Sequence, residues 1–292
     1  MTTESFEGRP YARVKEAGLY DLPMSAYLAD CAPEPSLSRG AIETINNRSV
    51  LHAKTEHPRL GQRPESNSPR ADLGSAVHGL VLGGAERIVY VDSDAYRTND
   101  AKEARDKAYE ENKIPMLAKF EEPLGAIADA ALRSLAARGY TGDCEQTAVW
   151  KLDNGIWARV RPDMICHDAQ TLIDLKTADN GDPGTWVRRS LFAGGYDIGA
   201  RLYQMALEEI TGRTYDYVWA VQEIQPPYCM SFVGAGQALL DLADRKIKRA
   251  AEMWAAAVKS GQWTGYTDEI VWAEPPAWAM WDLEERELTG GA

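Results

Sequence analysis

Two short apolar segments, each carrying one acidic residue, constrain the fold of this chain more than any other feature. The run Arg-Pro-Asp163-Met-Ile-Cys is joined by His-Asp-Ala-Gln to the run Thr-Leu-Ile-Asp174-Leu-Lys176-Thr. The pattern predicts two neighbouring β-strands, and because side chains alternate along a strand, Asp174 and Lys176 point to the same side. A carboxylate and an ammonium group then lie side by side, with a second carboxylate on the adjoining strand. Such a group can hold a hard divalent cation and a water molecule next to a phosphate.

The size and composition of the chain set its class. Its 292 residues suffice for one large domain or two small ones. No apolar run approaches the ~20 residues that span a bilayer, and the N-terminal residues lack the basic and apolar regions of a signal peptide. We therefore expect a cytoplasmic protein that does not enter a membrane. The four cysteines are too widely spaced for a Cys-x-x-Cys metal clamp.

The charge of the chain disfavours nucleic-acid binding. Its formal net charge is −12, whereas phosphate contacts need Lys and Arg, and a global negative field slows the approach of DNA. Only a local basic groove could overcome this field. Two segments could supply one, namely residues 39–70, which are rich in arginine and lysine, and the trio Lys246, Lys248 and Arg249. A solvated surface explains either segment equally well.

Residue periodicity predicts one α/β domain with a central mixed sheet flanked by helices. We divide the chain into an N-terminal arm with a short helix after Ser38, residues 1–70, that could contact DNA, and a main domain, residues 71–292. The Trp- and Pro-rich tail from Gly261 should pack across the core, because so much aromatic surface is costly to leave in water. The predicted helices lie at 71–82, 99–138 (broken near Pro115 and Pro123), 183–193, 196–211 and 235–260, and the predicted strands at 144–152, 156–166, 171–176, 215–223 and 228–233.

The paired carboxylates predict metal-assisted hydrolysis of a phosphodiester. Mg²⁺ prefers carboxylates, carbonyls and waters as ligands, so Asp163, Asp174 and the backbone carbonyl of Leu175 are candidate ligands. Lys176 could orient or deprotonate the attacking water and stabilise the negative charge that develops on the phosphate. Taken alone, an Asp-x-Lys pair is more often a structural ion pair than a catalytic one.

Several motifs in a fixed order add to this pattern. They are Pro35-Ser-Leu-Ser38, Leu73-Gly-Ser-Ala-Val-His78-Gly-Leu-Val-Leu, Glu145 with Trp150, Arg159-Val-Arg161-Pro-Asp163, Asp174-Leu-Lys176-Thr177, Tyr196 to Tyr203, and Glu223-Ile-Gln-Pro-Pro-Tyr228. In these pieces the chain resembles the PD-(D/E)XK nuclease superfamily and, within it, the exodeoxyribonuclease VIII-like exonucleases of phages and prophages. The resemblance covers most of the chain and implies a PD-(D/E)XK (restriction-endonuclease-like) fold.

The resemblance assigns a role to individual residues. It makes His78 a metal ligand, although a lone histidine in an apolar helix is more often a satisfied core residue. It makes Asp163 and Asp174 the metal carboxylates and Lys176 the catalytic lysine. Glu145 matches an acidic position that either touches a second metal or caps the sheet edge.

Further positions concern the substrate. Tyr203 matches an aromatic position that contacts the lysine or the DNA backbone, and a core tyrosine is an equally good interpretation. Ser36, Ser38, Arg39 and Arg161 are candidate ligands of a DNA phosphate, since a helix start with hydroxyls and a guanidinium suits a phosphate. An ordinary helix N-cap also explains the serines. Relatives often carry Gln at the position of Gly199, so this chain lacks the water or DNA contact that the glutamine side chain would make.

The resemblance implies a Mg²⁺- or Mn²⁺-dependent exonuclease that degrades one strand of duplex DNA from an end, 5′ to 3′, during phage-type recombination in a bacterial host. It also implies a homo-oligomer and a single-strand annealing protein as partner. Two alternatives stay open. One is a catalytically weak or inactive DNA-binding recombination protein with the same fold, which the acidic charge and Gly199 favour; the other is an endonuclease of the same superfamily.

Overall fold

The fold is taken from a computed structural model that describes residues 13–62 and 68–289. The predicted arm thus lies partly outside the described residues, at positions 1–12 and 63–67. The helices are α1 (Met24–Leu28), α2 (Arg39–Asn47), α3 (Val50–Glu56), α4 (Pro69–Leu82), α5 (Asn99–Glu110), α6 (Glu121–Ala137), α7 (Pro183–Trp186), α8 (Tyr196–Thr211), α9 (Gln237–Ser260) and α10 (Ala277–Thr289). The strands are β1 (Gly18–Tyr20), β2 (Ile88–Val91), β3 (Ile114–Leu117), β4 (Asp143–Cys144), β5 (Thr147–Lys151), β6 (Trp157–Val160), β7 (Met164–Cys166), β8 (Thr171–Ala178), β9 (Asp216–Glu223) and β10 (Met230–Gly234).

A mixed five-stranded sheet forms the centre of the molecule. Its strand order is β10-β9-β8-β7-β4, in which β8 and β9 run parallel and the other neighbours are antiparallel. The register pairs Asp174 with Trp219 and Lys176 with Val221. Helices pack on both faces, so the predicted architecture of a mixed sheet flanked by helices is confirmed. No helix among the described residues is both long and apolar enough to cross a bilayer.

Alternating residues of β8 face different cores. Ile173 and Leu175 belong to a buried cluster with α4 and α6, whereas Leu172 belongs to a second cluster with α8 and α9. Asp174 and Lys176 share the side of Leu172, as the period of a strand requires. Helix α4 packs against β8 at Gly74, where a Cβ would lie 3.4 Å from Thr177 Oγ1, an ordinary van der Waals contact.

The predicted strand at 156–166 is two strands in different sheets. Residues 157–160 form β6 in a three-stranded antiparallel sheet, β1-β5-β6, and residues 164–166 form β7 in the central sheet. The break falls at Arg161-Pro162-Asp163. Proline has no backbone N–H to donate to a ladder, so it ends the pairing of one strand before the next begins.

The region around Pro115 also differs from the prediction. Residues 114–117 form β3, which pairs in parallel with β2 in a separate two-stranded sheet, where a helix broken at Pro115 was expected. Each strand of such a pair is an edge strand, and an edge strand tolerates proline because one side of it needs no ladder bond.

The two ends of the chain pack differently from each other. In the N-terminal region, Leu37, Ile42 and Val50 are buried in the same cluster as the sheet; the boundary at residue 70 stays a prediction. In the tail, Trp263 packs on Trp254 with ring centroids 5.0 Å apart. Beyond it the expectation of a core-packed tail is wrong, because Trp272, Trp278 and Trp281 are 81%, 69% and 68% exposed, respectively.

Candidate metal centre

Side chains distant in the sequence meet around the backbone of Leu175. Its N–H donates to Asp163 Oδ2 at 2.7 Å. Its carbonyl accepts from His78 Nε2 at 2.7 Å and from Lys176 Nζ at 3.3 Å. Lys176 Nζ also lies 2.6 Å from Asp174 Oδ2. The side chain of Leu175 is fully buried, so this residue acts through its peptide groups alone.

The contact with Leu175 fixes the tautomer of His78. A carbonyl only accepts hydrogen bonds, so Nε2 carries the proton and Nδ1 keeps its lone pair. Nδ1 lies 3.6 Å from Asp163 Oδ2. A histidine that ligates a metal commonly donates its other N–H to a carbonyl or carboxylate, which orients the ring. His78 has this arrangement, with Nδ1 as the available ligand atom.

A cation fits the group formed by His78, Glu145 and Asp163. Their ligand atoms lie within 4.8 Å of one another. One imidazole nitrogen and two carboxylates form a donor set that suits Mn²⁺ and Mg²⁺. Asp174 stands beside this group, bound to Lys176, and the carbonyl of Leu175 is bonded to His78.

The electrostatics of the centre point the same way. Burial, followed by the neighbouring charge of Asp174, raises the pKa of Asp163 well above its ordinary value. Burial and the charge of Lys176 lower the pKa of His78, so the ring stays neutral and able to ligate. Burial acts to lower the pKa of Lys176, but Asp174 and Asp163 outweigh it and the net pKa is raised. The carboxylates thus repel one another, and a bound cation relieves that repulsion.

Glu145 is held in place by its neighbours. It has a positive φ of 56°, and its N–H donates to the carbonyl of Asp163 at 3.1 Å. Its Oε2 accepts from Arg161 Nε at 2.6 Å. Arg161 Nη1 donates to the carbonyl of Leu22 at 2.7 Å and to Thr147 Oγ1 at 2.8 Å. Arg161, expected to contact a phosphate, therefore uses these donors inside the protein and positions Glu145.

The other three expected phosphate ligands also lie in distinct environments. Ser36 is fully buried; its hydroxyl donates to Asp30 Oδ1 at 2.6 Å and accepts from Arg159 at 2.8 Å. The expectation for Ser36 is therefore corrected, because no phosphate can reach it. Ser38 caps α2, and its Oγ accepts from the N–H of Ala41 at 3.3 Å. Arg39 is 33% exposed and remains within reach of a ligand.

The aromatic neighbour of Lys176 is Tyr196. Lys176 Nζ lies 5.2 Å from the centroid of that ring, which stacks on Trp186 at 5.8 Å with an interplanar angle of 3°. Tyr203, the expected neighbour, instead lines the adjacent cleft and meets Tyr217 edge-on at 5.9 Å. Sequence reasoning missed the role of Tyr196, although the ring begins α8 within a motif already singled out.

Arg39 occupies the space beside Gly199. A Cβ at Gly199 would lie 3.0 Å from Arg39 Cδ. The guanidinium of Arg39 donates to the carbonyl of Gly194 at 2.5 Å and lies 5.7 Å from the Tyr196 ring. Arg39 of α2 thus fills the space that a side chain at position 199 would take, and it does so near the Tyr196 ring that contacts Lys176.

A cleft of about 1030 Å³ opens onto the centre. His78, Glu145, Asp163 and Tyr203 are among its lining residues, together with residues of α1 and α4. Its volume is at the upper end of the range found for small-molecule sites. The cleft therefore has room for a polymer segment beside the candidate metal ligands.

Comparisons with known proteins agree with this architecture. The family model described as "PDDEXK-like domain of unknown function (DUF3799)" matches residues 49–273, more than half of the chain. A crystal structure of a candidate exonuclease from Eubacterium rectale is similar with a TM-score of 0.61 and 16% identity, over 94% of this chain and 100% of that chain. This likeness concerns the fold alone. A phage-related exonuclease from Haemophilus somnus 129PT aligns with a TM-score of 0.33 and 13% identity, over 64% of this chain and 95% of that chain, which carries no argument. No curated protein matches.

Proposed function

Because the chain belongs to the PDDEXK-like family DUF3799, we propose that it is a metal-dependent deoxyribonuclease. This membership confirms the resemblance to the PD-(D/E)XK superfamily that the ordered motifs indicated. One observation carries the proposal: His78, Asp163 and Lys176 meet at the peptide groups of Leu175, with Asp174 bound to the lysine. This arrangement supports the proposal, because candidate metal ligands and an ammonium group lie around one peptide and two of those ligands, His78 and Asp163, also line the cleft.

The ligand residues prepare the site for a divalent cation. We propose that His78, Glu145 and Asp163 hold Mg²⁺ or Mn²⁺, with Asp174 and the carbonyl of Leu175 as further oxygen donors. A divalent ion supplies a polarised phosphate oxygen and an activated water when bound. The lowered pKa of His78 keeps its ring neutral, and Arg161 holds the carboxylate of Glu145 towards the other ligands.

Lys176 acts as a fixed positive charge. Its raised pKa, set by Asp174 and Asp163 against the opposing effect of burial, keeps the ammonium protonated at neutral pH. A protonated lysine donates hydrogen bonds and cannot take a proton from water. We therefore assign to Lys176 the stabilisation of negative charge on the phosphate, and to Asp174 and the Tyr196 ring the positioning of its Nζ.

The finer properties follow from the family resemblance. We propose an exonuclease that acts on duplex ends, 5′ to 3′, as a homo-oligomer, with a single-strand annealing protein as partner in phage-type recombination. Ser38, Arg39 and Tyr203 are the proposed contacts to the DNA strand. The cleft beside the candidate ligands supports a DNA strand as substrate, and Arg39 supports a phosphate near Lys176.

Linear and covalently closed duplex DNA, each with Mg²⁺ or Mn²⁺, test this proposal. We expect the linear form to be degraded and the circle to stay intact. Lys176→Ala and Asp174→Ala should each lower the rate by roughly 10²- to 10³-fold, the loss typical of removing one charge stabiliser. Lys113→Ala is the matched control, since Lys113 forms an ion pair of the same length, 2.6 Å, with Glu111 on the surface.

Each alternative has its own outcome in this experiment. Cleavage of the circle identifies an endonuclease. Metal-independent DNA binding without cleavage identifies the non-catalytic recombination protein. Equal losses in Lys176→Ala and Lys113→Ala would overturn the assignment of the centre.

A further inference from the structure

Two basic segments that are far apart in the sequence meet on one face of the fold. Asn46 of α2 donates through Nδ2 to the carbonyl of Lys246 in α9 at 3.1 Å. Its Oδ1 accepts from Arg249 Nη1 at 3.1 Å. The amide of Asn46 thus holds the end of α2 against α9, next to Lys246 and Arg249.

An exposed segment between α7 and α8 completes this face. Arg188 and Arg189 are exposed on it, and the Phe192 ring is 53% exposed. Lys246 Nζ lies 5.7 Å from the centroid of that ring and donates to Asp197 Oδ2 at 2.5 Å. We call this the Phe192 face, defined by Arg39, Arg188, Arg189, Phe192, Lys246 and Arg249.

The Phe192 face adjoins the metal centre. Arg39 binds the carbonyl of Gly194, two residues after Phe192, and its guanidinium lies 5.7 Å from the Tyr196 ring. The same ring lies 5.2 Å from Lys176 Nζ. One aromatic side chain therefore separates this face from the proposed catalytic lysine.

The charge of this face is the opposite of that of the whole chain. The chain has 32 basic and 44 acidic residues, yet the segments that form the Phe192 face carry five cations, of which Lys246 lies 5.7 Å from the Phe192 ring. Glu43 lies 3.7 Å from Arg39, and the buried Asp197 is paired with Lys246; Arg188, Arg189 and Arg249 remain exposed to solvent. It is the local basic surface that a strongly acidic protein needs in order to bind a polyanion.

An exposed phenylalanine among cations suits an unpaired nucleic-acid strand. In a duplex the faces of the bases are stacked, whereas in a single strand each base can stack on an aromatic side chain while the phosphates meet Lys and Arg. We propose that the Phe192 face binds the unpaired DNA strand beside the metal centre, with a base on Phe192 and phosphates on Arg188, Arg189 and Arg249. The proposal deepens, and rests on, the proposed nuclease function.

Fluorescence anisotropy with a labelled oligothymidylate of about 12 nucleotides, within the usual site sizes for single strands, tests this inference. EDTA in the buffer prevents cleavage. We expect Phe192→Ala to weaken binding by about 5- to 100-fold, the range for loss of one base–aromatic stack, and Phe192→Trp to retain it. Phe120→Ala is the control, because Phe120 is also exposed (38%) and also lies beside a lysine, Lys119, with Nζ 5.5 Å from its ring.

The salt dependence of binding gives a second readout. Arg189→Ala should lower the slope of log affinity against log salt by about 0.7, the value for one phosphate contact on a single strand. Wild-type affinity in Phe192→Ala, an equal loss in Phe120→Ala, or an equal loss with duplex DNA would overturn the inference. If the protein binds the single strand through Phe192 but never cleaves DNA, the nuclease function is refuted and the role of the Phe192 face stands. If the protein cleaves DNA but Phe192→Ala binds the strand as well as the wild type does, only the role of the Phe192 face is refuted.

Discussion

Replacing Asp30 by alanine tests how strongly a buried ionic cluster holds the loop that leads into α2. The carboxylate of Asp30 is fully buried; it accepts from the Ser36 hydroxyl at 2.6 Å and lies 3.2 Å from Arg159 and 3.5 Å from Arg59. His57 is also near, but burial lowers its pKa to about 4, so it adds no positive charge at neutral pH. Among the residues that the structure describes, Asp30 is therefore the anion that pairs with both of these guanidinium groups.

The burial of both arginines sets the size of the effect. The side chain of Arg159 is only 5% exposed, and that of Arg59 only 10%. Removing one partner of a buried ion pair costs about 3–5 kcal/mol, because the other charge stays buried without compensation. With two cations affected, we expect Asp30→Ala to fall at the upper end of that range. This is a large share of the roughly 5–15 kcal/mol that stabilises a typical domain.

A surface ion pair provides the matched control. Arg48 Nη1 lies 2.5 Å from Glu56 Oε1, closer than any contact of Asp30 with an arginine, but these side chains are 47% and 31% exposed. Pairs of this kind contribute about 0–1 kcal/mol. Glu56→Ala should therefore lower the free energy of unfolding by about 1 kcal/mol at most, in spite of the shorter distance.

Urea unfolding of both variants, without metal, measures the two losses. The slope of the free energy against urea concentration should stay constant, so that the midpoints alone report stability. Asp30→Ala/Arg159→Met should recover part of the loss, since it removes a stranded cation together with the anion. If Asp30→Ala and Glu56→Ala lose the same amount, burial does not control these interactions and the reasoning is refuted.

Three further predictions concern the centre and the tail. Calorimetric titration with Mn²⁺ from about pH 8 to about pH 4 should show affinity falling with pH, because burial and Asp174 raise the pKa of Asp163 and the metal must displace its proton; unchanged affinity at the lowest pH would contradict this. Gly199→Gln should displace Arg39, whose Cδ would lie 3.0 Å from the new Cβ, and lower the free energy of unfolding by about 1–3 kcal/mol in urea; a variant as stable as the wild type would oppose it. Deleting residues 267–292 should change the free energy of unfolding by less than about 0.5 kcal/mol, as for other exposed groups, and a larger loss would place the tail on the core.

The alternation of β8 could be predicted from the sequence with good accuracy. Apolar residues flank Asp174 and Lys176. Because side chains alternate between the two faces of a strand, Asp174 and Lys176 must lie on the same face. His78 could not be placed in this way, because nothing in a helical pattern says which strand a helix crosses. The order of the motifs supplied that information, and the structure brings His78 to the predicted strand.

The errors share a physical cause. Ser36 and Arg161 are residue types that often bind phosphate, but the buried Asp30 already engages Ser36 and the half-buried Glu145 already engages Arg161. Pairing of this kind depends on segments far apart in the sequence, which residue type and spacing do not report. The prediction for the tail was wrong for the opposite reason. A high tryptophan content predicts burial, but Trp272 is 81% exposed in the structure.

The length difference between β7 and β8 explains why the centre forms at Leu175. The β7–β8 ladder ends at Met164 opposite Ile173, whereas β8 continues to Ala178. Beyond that end, the peptide groups of Leu175 have no partner strand on the β7 side, and buried N–H and C=O groups must find other partners. Asp163 accepts from that N–H and His78 donates to that carbonyl. Since Pro162 offers no N–H with which β7 could begin earlier, the Pro-Asp pair both stops the ladder and supplies the carboxylate that takes its place.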